Sequence, residues 1–424
     1  MVPHLSTLLR RFPELAEHTV APPALLPFVG IDDAERELSA MCGPGAAAQT
    51  FALLGNVMVR RGRYVDALEA YRTAADLDPA DALASWACAE IAHVLDDATT
   101  SHAYRTRALA VRRVFADPLP VGERTPLLLL LRDAAYAVNA PVELLLDRTR
   151  VAVHKYYVEG EAQPPLPSYA LAFTAFGAAE AARDATARAK DVFAGSGAAI
   201  NDPALLARLA RERLAQTLAG IEGLAVVQTR VVDASQAGSM AVPALVRPID
   251  THAGDGLAFV TSDGELRSHL ARFPAERYHR SEFVEYRGAE GLYRKFRAIF
   301  VDGVAYPYHL GIAPSWMVHY QSAPMRESPR LRHEERAFLE APQYLVPSWE
   351  RLMPQIARAI GLEYFGIDAT VLPDGTLFIF EADAAMLVHD EDPSDVFAYK
   401  RPFVAQIREA LHAAIARRTP QRIP

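Results

Sequence analysis

The stretch YFGIDATVLPDGTLFIFEAD, residues 364–383, decides the reading of this chain. Two apolar runs rich in aromatic and β-branched residues flank Pro373-Asp374-Gly375, which is the pattern of a β-hairpin. A two-residue type I′ turn at Asp374-Gly375 sets Pro373 opposite Thr376 and, counting outward, Asp368 opposite Glu381. Side chains alternate between the faces of a strand, so Asp383 joins Glu381 and the three carboxylates collect on one side of an apolar hairpin. Like charges at that spacing call for a cation. Oxygen donors without cysteine or clustered histidine suit Mg²⁺ or Mn²⁺ better than zinc. A solvated acidic face is the plainer alternative. On this reading, removing Asp368 or Glu381 relieves repulsion and leaves thermal stability equal or higher.

The chain has 424 residues, of which 51% are hydrophobic and 23% charged, enough to bury more than one core. Its net charge of −8 and pI near 5.9 give no electrostatic footprint for nucleic acid. Cys42 and Cys88 are the only cysteines, which argues against a disulfide framework and for a reducing, cytoplasmic setting. The first residues lack the basic start and apolar core of a signal peptide. The leucine run 127–131 is too short to span a bilayer and reads as a buried parallel strand, so no membrane partner is expected.

Phe51, Leu54, Gly55, Gly62, Ala67, Tyr71, Ala74 and Pro79 match the spacing of a tetratricopeptide repeat. Small residues at 55, 67 and 74 let two antiparallel helices approach, Phe51 and Tyr71 fill between them, and Pro79 stops the second. Ala89 and Ala108 recur one register later, in a degenerate second repeat. Stacked repeats form a concave surface for a peptide or protein partner, although a single clear repeat flanked by worn ones more often serves as a packing module.

From Thr125 the texture alternates strand and helix: strands at 126–131, 151–154 and 198–200, an apolar run at 169–176, a short helix over 141–149 and a longer one over 180–193. No G-x-G-x-x-G follows any of these strands, which excludes a dinucleotide fingerprint. Asn201-Asp202-Pro203 predicts a capped helix running to about Gly220, carrying Arg208, Arg211 and Arg213. Strands follow at 226–232 and 244–248. The second ends at Arg247 before a small-residue loop, 251–257, whose backbone amides suit phosphate.

Taken in order, these features resemble ATP-grasp ligases of the glutathione-synthetase type, with a tetratricopeptide region in front. The resemblance covers roughly residues 125–415 and implies three domains: a helical array over 1–118, a small βαβ pre-ATP-grasp domain over 119–204, and an ATP-grasp fold with antiparallel sheets over 205–424. It implies ATP and Mg²⁺ or Mn²⁺ as cofactors, with metal at Asp368, Glu381 and Asp383. Nucleotide contacts fall to Arg247, His252, Gly254 and Gly256 in the phosphate loop. The hinge Glu282, Phe283, Val284 and Glu285 takes the adenine, with Glu285 or Glu290 near the ribose, and Arg294, Lys295 and Arg297 form a basic strand facing the phosphates. The chain departs from the family pattern at Asp383, where Asn is usual, at Arg247, where Lys is more common, and at Ala253, where Gly is frequent.

The reaction so implied activates a small-molecule or peptide carboxylate as an acyl phosphate, which an amine then attacks. Charge neutralisation does most of that work, with Arg297 and Arg247 as catalytic cations. Lys295 is expected to alternate away from Arg294 on its strand. Of the histidines at 309, 319 and 389, His389 is the first choice for a role toward substrate. A nucleotide-binding pseudo-ligase, or a scaffold whose repeats are the working part, stands as the alternative.

Overall fold

The computed structural model describes residues 30–419 except 118–120, 134–137, 161–163, 179–181, 197, 250, 252, 253, 255, 321 and 390–394. The chain divides into two compact units, one formed by residues 1–136 and 148–169, the other by 137–147 and 170–424.

In the first unit, helices α1 (Ile31–Met41), α2 (Ala48–Arg60), α3 (Tyr64–Leu77), α4 (Ala82–Val94) and α5 (Ala98–Val111) follow one another through short connections. Tyr71 of α3 lies on Gly55 of α2, where a β-carbon would come within 2.5 Å of the ring. Its hydroxyl donates to Asn56 Oδ1 at 2.6 Å, so the buried phenol is satisfied. Asp81 and Asp97 cap α4 and α5 by accepting backbone N–H groups in their first turns. The expectation of helix throughout 1–118 needs correction: the helices end at Val111, and Val114–Phe115 form β1, antiparallel to β3 (Val151–Tyr157). β2 (Thr125–Leu131) runs parallel to β3 as the unbroken leucine run requires, with Leu127 to Leu130 fully buried. The Asp117 carboxylate is sealed from solvent and held by Arg124 and Arg148. The part of the array before residue 30 lies outside the described residues.

The second unit opens with a 3₁₀ turn (Val142–Leu145), β4 (Leu171–Thr174), α6 (Arg183–Ala194) and β5 (Ala199–Ile200), β4 and β5 being parallel. The helix expected from 201 to 220 is instead a 3₁₀ turn (Leu206–Leu209) and a separate α7 (Arg211–Thr217), broken at Ala210, whose ψ of 134° is extended. Asn201 is not its cap. It sits at φ 59° with its Nδ2 donating to Tyr364 O at 2.7 Å and its Oδ1 accepting Tyr364 N–H at 2.8 Å, standing in for a neighbouring strand.

Then come β6 (Leu224–Val226), β7 (Thr229–Asp233), α8 (Ala234–Ala237), β8 (Ala244–Pro248), β9 (Ala258–Val260), α9 (Asp263–Arg272) and β10 (Arg277–Ser281). β11 (Tyr293–Val301), β12 (Val304–Ala313), α10 (Pro329–Glu340), α11 (Trp349–Ile360), β13 (Tyr364–Val371), β14 (Leu377–Asp383) and α12 (Arg401–Arg418) complete the chain. They build two sheets, of order β7-β10-β8-β9 and β12-β11-β13-β14-β6. The first is antiparallel throughout, the second antiparallel except for β6 on β14.

The 364–383 hairpin forms, by another route than expected. Leu372 N–H bonds Thr376 O and Gly375 N–H bonds Leu372 O, each at 2.9 Å, so the loop is Pro373-Asp374-Gly375 with Gly375 at φ 87°. That slips Val371 onto Leu377. A bulge at Phe380 then absorbs one residue and returns Asp368 to Glu381.

Alternation sorts the larger sheet into two faces. Phe296 meets Phe338 of α10 and Trp349 of α11 at 5.2 and 6.2 Å between ring centroids. Trp349, Leu352, Met353, Ile356 and Ile360 give α11 a buried stripe at helical spacing. Lys295, Arg297 and Asp368 fall on the other face.

Because Asn201 satisfies both backbone groups of Tyr364, Asn201→Ala strands two buried polar groups. The variant is expected to lose about 2–5 kcal/mol of stability. Denaturant melts compared with wild type would show it, and an unchanged midpoint would refute this bracing role.

Candidate functional site

Asp368 is 1% exposed at the centre of the polar face. Arg297 grips it with two bonds, Nε to Oδ1 at 2.7 Å and Nη2 to Oδ2 at 3.1 Å, and Lys295 Nζ reaches Oδ2 at 3.0 Å. Burial alone would push this carboxyl up, but Arg297 and Lys295 hold it well below the ordinary range. Glu381, directly across the ladder, accepts from Arg211 Nη2. Burial first, and then the charge of Asp368, oppose its ionisation, but Arg211 together with Lys295 and Arg297 outweighs them, so it too lies low. Asp383 Oδ1 accepts the N–H of Ala385 at 2.9 Å and lies so close to Gly177 that a β-carbon there would come within 2.3 Å. Burial, reinforced by Glu381, pushes Asp383 up to about 6.

His309 faces Arg297 across β11 and β12 and stacks on Tyr320 at 4.5 Å and 13°. Burial first, then Arg297 and Lys400, keep its pKa well below 6.5, so it is neutral at pH 7. Lys400 Nζ lies 4.3 Å from the centre of the Tyr320 ring and donates to its hydroxyl at 3.2 Å. Glu335, with no exposure, accepts Leu310 N–H at 3.1 Å and Tyr320 Oη–H at 3.0 Å and also the Tyr399 hydroxyl.

The residues expected at the site divide. Lys295, Arg297, Asp368 and Glu381 come together, with Asp383 beside them. Arg294 does not: it points to the helix face, where Glu290 and Glu334 take its guanidinium. The basic strand therefore presents Lys295 and Arg297 to the acids, with Lys295 alternating away from Arg294 as the strand period predicts. Arg247 is buried and donates to Thr251, Nε to Oγ1 at 3.0 Å, bracing the start of the 251–257 loop. Gly254 and Gly256 have φ of 80° and 62°, a conformation that favours glycine, while His252 lies outside the described residues. Phe283 stacks on Phe259 at 4.4 Å and meets Trp316 edge-on at 5.8 Å, beside exposed Glu282 and half-buried Val284. Glu285 accepts the N–H of Arg287 at 3.0 Å. Glu290 is committed to Arg294. His389 is held through its backbone, its N–H reaching Tyr308 Oη at 3.1 Å.

Sequence reading missed Arg211, Lys400, Glu335 and Gly177. Arg211 was one of three arginines on an expected helix, and only the break at Ala210 separates it from Arg208, which donates to Ile360 O at 3.0 Å at the end of α11.

Hard oxygen donors suit Mg²⁺ chemically, but their present arrangement does not fit a metal. Both oxygens of Asp368 and one of Glu381 are taken by protein cations, and among the described residues no group of three or more His, Cys, Asp or Glu is disposed to hold an ion.

The expected gain in stability on removing Asp368 is accordingly reversed. Asp368→Ala leaves Arg297 and Lys295 facing each other without their shared anion, and a loss of about 3–5 kcal/mol follows. Thermal and denaturant unfolding decide the point. A variant as stable as wild type would show that repulsion among the acids outweighs the ion pairs.

Among the described residues no helix is long and apolar enough to cross a membrane. No family model and no curated protein matches the sequence. Solved structures similar to the chain include a RimK domain ATP-grasp protein from Sphaerobacter thermophilus, 14% identical over 69% of this chain and 100% of that one, with a TM-score of 0.40. The D-alanine–D-alanine ligase of Coxiella burnetii is 9% identical over 70% and 97%, with a TM-score of 0.45. A RiPP-associated ATP-grasp ligase from Chryseobacterium gregarium, in complex with ADP and a leader and core peptide, is 11% identical over 70% and 98%, with a TM-score of 0.38.

Proposed function

We propose that the chain is an ATP-grasp ligase that joins a carboxylate to an amine through an acyl phosphate and releases ADP. The observation that carries this is the set of alternating ion pairs on one face of the β11-β13-β14 sheet, Lys295 and Arg297 with Asp368, Arg211 with Glu381. Pre-placed cations of this density serve a polyanionic reactant whose charge shifts as a phosphoryl group moves.

In this reading the helices up to Val111 are a tetratricopeptide-like array, 119–204 a pre-ATP-grasp domain and 205–424 the ATP-grasp domain. The adenine takes backbone hydrogen bonds at 282–284, with Phe259, Phe283 and Trp316 as apolar walls and Glu285 toward the ribose. Gly254 and Gly256 let the loop backbone approach the phosphates, with Arg247 holding the loop base and His252 counted among the nucleotide contacts. The substrate carboxylate attacks the γ-phosphorus, the bond to the β,γ-bridging oxygen breaks, and ADP leaves. The amine nitrogen then attacks the acyl carbon as the carbon–oxygen bond to phosphate breaks, and the amine gives up its proton. Arg297 and Lys295 balance charge on the transferring group, while His389 stands toward the substrate. Neutral His309 offers a hydrogen bond without adding charge. Mg²⁺ or Mn²⁺ at Asp368, Glu381 and Asp383 belongs to this reading only after those acids change partners. The Arg211–Glu381 pair favours a second reading, a nucleotide-binding pseudo-ligase without turnover, if Arg211 never yields.

Full-length protein with ATP, Mg²⁺ and a panel of amino acids, small carboxylic acids and peptides should release ADP, and hydroxylamine should trap the acyl phosphate. Arg297→Ala should lower kcat by about 10²–10³-fold. Asp383→Asn should keep turnover, since the amide still accepts a hydrogen bond from Ala385. Undiminished turnover in Asp368→Ala would reject the ligase reading, and ADP binding without release across the panel would favour the pseudo-ligase.

A further inference from the structure

We propose that Arg211 is a tethered cation that occupies Glu381 in place of a divalent ion, and that metal enters the acid cluster only by displacing it. The inference rests on the ligase reading, because it concerns how that site is loaded. A guanidinium and a divalent cation compete for one carboxylate through mutual repulsion and shared lone pairs, and Glu381 gives Oε2 to Arg211. Asp368 offers no way round: Arg297 and Lys295 already fill three of its roughly four acceptor positions. Asp383 and Asp368 both add negative charge around Arg211, so its guanidinium serves the whole cluster.

The local structure lets Arg211 leave. It is the first residue of α7, set off from the preceding 3₁₀ turn by extended Ala210. Arg208 anchors that turn to the α11 carbonyls of Ala359 and Ile360, and Thr217 Oγ1 ties the end of α7 back to Arg208 O at 3.0 Å. Neither tie uses Arg211. The Arg211 and Glu381 side chains are 28% and 26% exposed, so the ion pair lies at the rim, whereas Asp368 is sealed. An incoming ion therefore meets Glu381 first. Arg211 is thus a positioning residue that sets the metal affinity.

The test measures Mn²⁺ binding to the full chain without nucleotide, from the electron paramagnetic resonance signal of free Mn²⁺. Arg211→Gln should tighten Mn²⁺ by at least about tenfold, the low end for losing a competing hydrogen bond between charged groups. The double variant Arg211→Gln/Glu381→Gln should lose that gain, because the freed oxygen is gone. If the Gln variant fails to fold by thermal melt, Arg211→Lys replaces it: a single point charge releases the carboxylate more readily than a fork, and about a threefold tightening is expected. ADP binding with Mg²⁺, followed by calorimetry, is the separate check on the ligase reading. Equal or weaker Mn²⁺ affinity in a folded Arg211 variant that still binds ADP overturns the tethered cation and leaves the ligase reading standing. Absence of ADP binding in wild type overturns both.

Discussion

The arrangement turns on the ion triad of Asp368 with Arg297 and Lys295. A carboxylate at 1% exposure is costly to bury unless its charge is answered, and a bidentate guanidinium plus an ammonium answers it. To place both cations the strand must carry them two residues apart, at 295 and 297, with an aromatic between them turned to the helices. Phe296 fills that role against Phe338 and Trp349. The triad and the apolar core are therefore opposite faces of the same three residues of β11. A shift of one residue would put Phe296 among the acids and Lys295 in the core.

The outer edge of the same sheet is managed by a second buried acid. β12 is an edge strand, and the N–H of Leu310 bonds Glu335 of α10. Burial raises the pKa of Glu335, opposed by Lys400, by the Tyr399 and Tyr320 hydroxyls and by the Leu310 amide. Tyr320, gripped by Glu335, stacks on His309, and His309 faces Arg297. Helix α10, the loop after β12 and the turn before α12 are in this way tied to the polar face by one chain of contacts. His309 stays neutral in it, so a ring among so many cations adds no further positive charge.

Much of this was legible in the chain because it depended on period and pairing. The leucine run, the Gly55–Tyr71 contact and the pairing of Asp368 with Glu381 follow from local rules. The failures share a cause, which is that a long-range partner overrode a local signal. Pro373-Asp374-Gly375 looked like a two-residue turn, yet a three-residue loop and a bulge at Phe380 give the same acid pairing, because the apolar face fixes register near the core and the turn adapts. Asn201 had the look of a helix cap, but Tyr364, far along the chain, claims its side chain. Arg294 was indistinguishable from Lys295 and Arg297 until Glu334 on α10 showed which face it takes. Arg211 carried no signal beyond its charge.

The charge count of the polar face gives a further step. Asp368 and Glu381 are ionised, and the cations set against them, Lys295, Arg297 and Arg211, exceed them by one, while Asp383 rises to about 6 beside them. A face so near neutrality resists a lone anion, which would have to draw cations from acids, and a lone metal ion, which would have to draw acids from cations. An anion and a metal arriving together exchange partners with the pairs already present, so each protein charge stays matched. In the proposed ligase, selectivity for such a combined reactant would come from ion pairs that cancel one another beforehand, with Asp368 sealed and Glu381 at the rim.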